Sequence, residues 1–128
     1  MVTIEGIPVE YTFLPGSMND SEALKQFPFN LERGSRVYAD AGYTNYKIED
    51  MLRHSEQIEL LVARKSNSKR KREPYQEFLI ESIRKRIKTT FSEITTLLPK
   101  KIHAVTDYGF ILKVIMFLFS YTLNKIEN

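Results

Sequence analysis

The chain of 128 residues contains no cysteine, which removes thiolate metal sites, disulfide frameworks and cysteine nucleophiles together. Histidine is nearly as scarce. His54 and His103 stand far apart with no ligand-like spacing. His54 reads as a solvated residue favoured at the negative end of a helix dipole, and His103 as a loop residue. The opening stretch MVTIEGIPVE has no basic segment followed by an apolar one and does not read as a secretory signal. The longest apolar stretch, Phe110 to Leu123, is broken by Lys113 and falls short of the roughly twenty residues a membrane span needs. No membrane partner is expected, and the cytoplasm is the default compartment. With 42% hydrophobic and 27% charged residues, the composition is that of one globular domain. It excludes disorder along the whole length, a collagen-like repeat and a membrane-spanning bundle.

Charge is present but unevenly placed. Residues 1–63 carry five basic and ten acidic side chains, and residues 64–128 carry fourteen and six, so the halves differ in sign at −5 and +8. Such asymmetry points toward a polyanionic partner. Two clusters concentrate it. The segment 64–73 has six basic residues in its first nine and no apolar side chain, and is expected as an exposed loop. Arg84, Lys85, Arg86 and Lys88 form the second cluster.

Alternation of Val2, Ile4, Val9, Tyr11 and Phe13 around Gly6-Ile7-Pro8 predicts a hairpin over residues 2–14. Asn19 or Asp20 suits the cap of a short helix stopped by Pro28. Arg36–Ala39 and residues 57–63 read as apolar strands. A helix capped by Thr44 or Asn45 lies between them and runs through His54, with Ile48, Met51 and Leu52 inward. Strands alternating with helices of about ten residues predict an α/β fold with parallel pairing. Pro74 suits a helix start. Phe78, Leu79, Ile83, Ile87, Phe91, Ile94 and Leu98 then predict a long amphipathic helix stopped by Pro99. A last helix over about 106–125 is expected to be buried or docked on a partner.

Few groups are placed for chemistry. Asp40 follows a short strand at the edge where open α/β sheets bind ligands and metals, and Gly42 allows a sharp turn just beyond it. A cap on the following turn is the alternative reading of Asp40, and a cap is also the reading of Asp20. The phosphate-binding candidates are Arg64, Lys65, Lys69, Arg70, Lys71, Arg72, Arg84, Lys85 and Arg86. Several cations are needed because affinity for DNA comes from neutralising phosphates and releasing counterions. A solvated face is the alternative for both clusters.

Six stretches occur in a telling order: 2–10 (VTIEGIPVE), 15–20 (PGSMND), 38–43 (YADAGY), 64–70 (RKSNSKR), 84–91 (RKRIKTTF) and 101–104 (KIHA). Together they resemble the C-terminal part of the catalytic domain of DDE transposases from bacterial insertion sequences, and the likeness covers nearly the whole chain. The resemblance implies a partial RNase H-like fold, a mixed sheet flanked by helices, with its first central strand missing. Residues 1–128 would then be an N-terminally truncated catalytic domain.

In that family three carboxylates hold two divalent metals, Mg²⁺ or Mn²⁺. The metals activate a water or a DNA 3′-hydroxyl and stabilise the leaving oxygen as DNA is cut and joined. By resemblance Asp40 is the second of these acids, both a catalytic residue and a metal ligand. The first belongs to a strand upstream of the hairpin. The third is the Glu of an Arg-x-x-x-Glu-x-x-Phe pattern, and its position carries Lys88. The expectation is a transposase fragment inactive by itself, with no tight metal site and with DNA as partner. The alternative is a non-catalytic DNA-binding or regulatory remnant. In a third reading an upstream transposase fragment, or full-length transposase, completes the fold.

Overall fold

The computed structural model describes residues 1–127 and divides the chain into two units. One spans Leu14–Lys85, and the other combines Met1–Phe13 with the segment from Arg86 onward. The chain is mixed α/β, with four α-helices and a two-stranded parallel sheet among the described residues.

In the unit Leu14–Lys85, helix α1 (Asp20–Ala23) is capped by Asn19, whose side chain accepts the Glu22 N–H at 2.9 Å. A tighter turn over Leu24–Gln26 ends it ahead of Pro28. Strands β1 (Arg36–Ala39) and β2 (Glu59–Val62) pair in parallel, with Arg36 opposite Glu59 and Ala39 opposite Val62. Between them lies α2 (Tyr46–Met51), where Asn45 is the cap and accepts from Ile48 N–H at 3.3 Å. Its last turn widens over Leu52–Glu56 and stops at Gln57, which takes a left-handed φ of 54°. The Gln57 N–H bonds the Leu52 carbonyl, and the Ile58 N–H closes on the same carbonyl at 3.0 Å, a wider closure than that of an ordinary α-helix end.

This unit holds most of the core: Leu24, Phe29, Ile48, Leu52, Ile58, Leu60, Val62, Ala63 and Ile80 are buried. Leu52, Ile58 and Val62 are the largest side chains fully withdrawn from solvent. Met51, expected inward, is 52% exposed. The buried pair on this face is Ile48 and Leu52, four residues apart.

Helix α3 (Pro74–Leu97) contributes to both units. Its length matches the periodicity, and its stripe does so in part: Ile94 is buried and Ile83, Ile87 and Leu98 are half-buried as the spacing predicts. Phe78, Leu79 and Phe91 are exposed, while Ile80, Thr90 and Ile94 are buried. A helix with apolar residues at 78, 79, 80, 83, 87, 91 and 94 carries overlapping three-to-four spacings, and the stripe through Ile80 is the one that packs.

In the other unit the expected hairpin shrinks to one antiparallel bridge, Val2 with Pro8, flanked by the Thr3 N–H to Ile7 carbonyl bond at 2.8 Å. Pro8 has no N–H to extend a ladder. Ile4, Val9, Tyr11 and Phe13 are exposed, so no buried face supports one. Gly6, at φ 88°, lies so close to α3 that a Cβ there would stand 3.1 Å from Thr90 Oγ1.

Helix α4 (Asp107–Glu127) buries Tyr121, whose hydroxyl donates to Glu93 at 3.3 Å. Of the two expectations for the last helix, burial within the chain or docking on a partner, the first is not met among the described residues: Tyr108, Phe110, Leu112, Met116, Phe119 and Leu123 are exposed. With 21 residues, α4 is also long and apolar enough to cross a membrane by length and composition alone.

Candidate nucleic-acid interface and the Asp40 edge

Asp40 lies directly after β1, and its backbone carbonyl accepts from Tyr43 N–H at 3.0 Å to close a tight turn over Ala41–Tyr43. Its side chain does not cap that turn. Instead Oδ1 receives Arg84 Nε at 2.7 Å and stands 2.5 Å from Arg84 Nη2. Arg84 Nη1 donates to Glu81, one turn back on α3. One guanidinium thus bridges two carboxylates. The Arg84 side chain is 16% exposed, while that of Asp40 remains 52% exposed.

Asp20 is near the same strand end, where a Cβ on Gly42 would meet its Oδ2 at 2.6 Å. Tyr43 feels both acids. Burial first, and then the charges of Asp20 and Asp40, raise its phenol pKa.

The basic loop is built differently from an exposed charge run. Glu49 of α2 is buried, and a buried carboxylate requires partners. Arg64 supplies a forked pair at 2.5 and 3.1 Å, and Arg72 approaches the same carboxylate at 3.7 Å. Arg72 also donates to the Val62 carbonyl at the end of β2 and to Glu77. The side chains of Arg64 and Arg72 are only 7% and 14% exposed. The expectation that all of 64–73 is exposed is therefore corrected at these two residues: the need of Glu49 for cations draws them inward.

Arg70 is half-exposed and forks onto Asp50 at 2.7 and 3.0 Å. Its guanidinium lies 4.5 Å from the centre of the Tyr46 ring, and that of Arg64 lies 5.2 Å from it. The Tyr46 hydroxyl meets Ser68 Oγ at 2.8 Å, the leading cause of a lowered phenol pKa.

Hydrogen bonding from Arg70 is likewise the main cause that lowers the Asp50 pKa. A depressed carboxyl contributes stability that is complete above its unfolded value of about 4 and is lost as pH falls through the lower folded value. The protection of the loop amides, taken as their exchange relative to an unstructured peptide at the same pH, is therefore expected to hold down to about pH 4 and to fall only below it.

Of the phosphate-binding candidates, Arg64, Arg70, Arg72 and Arg84 are engaged with carboxylates of the chain, whereas Lys65, Lys69, Lys71, Lys85 and Arg86 are exposed. Sequence reasoning missed Glu49, Asp50 and Tyr46 as the groups that organise the loop. The available signal was the spacing: Glu49 and Asp50 are the two acids of the helix just before the strand that leads into the basic run.

The family model for the Transposase DDE domain matches residues 1–121. The chain belongs to that family, whose members act on DNA with divalent metal ions. Neither the curated proteins nor the solved structures provide a match.

The described residues do not fit a two-metal centre. No group of three or more Asp, Glu or His side chains among them is placed to hold a metal. Asp40 faces a guanidinium at ion-pair distance, so a dication would have to displace a fixed positive charge. Lys88 follows Arg84 by four residues in the sequence and belongs to the other unit. Glu81 is engaged by Arg84, and Glu93 is engaged by Tyr121 and Lys125.

Proposed function

We propose that this chain is a DNA-binding element of a transposase, located in the cytoplasm, that does not cut or join DNA by itself. The observation that carries this reading is the Arg84 bridge between Asp40 and Glu81, together with lysine at position 88. The one acid matched to the family is neutralised by an arginine of its own chain. Catalysis would require carboxylates from outside the described residues. The exposed lysines of the basic loop keep a surface suited to phosphate.

In this reading the chain binds duplex DNA with little regard to sequence, because lysine side chains recognise phosphate as point charges and read no base. Fluorescence anisotropy with labelled duplexes of unrelated sequence tests it. Equal affinities at low salt that weaken steeply as salt rises are expected. No binding at about 50 mM salt, where phosphate contacts are strong, would refute the reading.

A further inference from the structure

We infer that the arginines and lysines of the basic loop divide two tasks: Arg64, Arg70 and Arg72 clamp the loop to the α/β unit, and Lys65, Lys69 and Lys71 contact DNA phosphates. The inference rests on the DNA-binding reading above and says which side chains do the binding and what holds them in place.

The anchors fall at 64, 68, 70 and 72. Arg64 and Arg72 converge on the buried Glu49, Ser68 bonds the Tyr46 hydroxyl, and Arg70 spans Asp50 and the Tyr46 ring. Within the loop, Ser68 N–H closes a turn on the Lys65 carbonyl at 3.0 Å, and Arg70 N–H donates to Ser68 Oγ at 3.3 Å. The lysines occupy the intervening positions 65, 69 and 71. All three are exposed and make no ion pair or hydrogen bond through their side chains among the described residues.

The chemistry suits the division. A planar guanidinium matches a carboxylate with two parallel bonds and stacks on an aromatic face, which makes it a good internal tie. An ammonium is a mobile point charge that can follow a phosphate backbone. A loop already fixed in place loses less conformational entropy when DNA arrives, so the clamp raises affinity without touching the ligand.

A test follows in which simple charge counting and this inference predict opposite signs. Asp50→Ala removes an acid and raises the net charge by one, which by charge alone strengthens DNA binding. The inference expects it to weaken binding by about threefold to fivefold, and expects the same of the charge-neutral Tyr46→Leu. In both variants hydrogen exchange of the amides of residues 65–71 is expected to accelerate. The triple variant Lys65→Gln, Lys69→Gln, Lys71→Gln is expected to leave exchange unchanged. Its slope of log affinity against log salt is expected to fall by about 0.9 per lysine.

Equal or tighter binding by Asp50→Ala would overturn the clamp. An unchanged salt slope in the lysine variant, with the unsubstituted chain still binding, would overturn the division of tasks yet leave the DNA-binding reading intact. Failure of the unsubstituted chain to bind would refute both.

Discussion

Replacing Glu49 with Leu is expected to destabilise the unit Leu14–Lys85 by about 3–5 kcal/mol, the cost of leaving buried charge without its partner. Glu49 is 5% exposed and faces two guanidiniums that are themselves largely buried. Removing the carboxylate leaves Arg64 and Arg72 repelling one another in a medium that screens poorly. Arg72 retains Glu77 and the Val62 carbonyl, whereas Arg64 loses its ion-pair partner. For a chain of this size the loss corresponds to a fall of roughly 10–20 °C in melting temperature.

The double variant Glu49→Leu, Arg64→Met sharpens the prediction. Buried ion pairs exchanged for apolar groups of similar volume are often neutral in stability. The double variant should therefore recover much of the loss, as read by thermal denaturation. If the single variant melts within a few degrees of the parent chain, Glu49 does not tie down the loop.

The second large effect concerns DNA. Three lysines that each neutralise one phosphate give a slope of about −2.7 for log affinity against log salt. Between 50 and 200 mM salt the affinity of the unsubstituted chain should accordingly fall about 40-fold. A shallow response, within a factor of a few, would mean that contacts other than phosphate hold the DNA.

Local chemistry made much of the α/β unit legible in advance. The strand at Arg36–Ala39 coincides with its apolar run, and Asn19 and Asn45 are the caps because their side-chain oxygens reach N–H groups that a helix leaves unpaired. Other features depended on tertiary context. Periodicity could not choose between two overlapping stripes on α3, and it placed Phe78 and Leu79 inside when they are exposed.

The hairpin at residues 2–14 had the alternation of a strand pair but no buried face to reward it. The apolar run of α4 signalled burial, although in this chain its side chains are mostly exposed. The position of Asp40 directly after its strand and the exposure of the loop lysines were legible in the sequence. The ion pairs of the arginines were not legible, because a run of cations does not reveal which of them face an acid such as Glu49 or Asp50 across the fold.

The central claim is that these residues bind DNA without assembling a metal centre. The most direct test is Mn²⁺- and Mg²⁺-dependent nicking of labelled duplex DNA by the purified, folded chain, with Asp40→Ala measured in parallel. No cleavage above background is expected from either protein. Nicking by the unsubstituted chain that disappears in Asp40→Ala would contradict it, showing that Asp40 exchanges Arg84 for a metal and that other carboxylates complete the site.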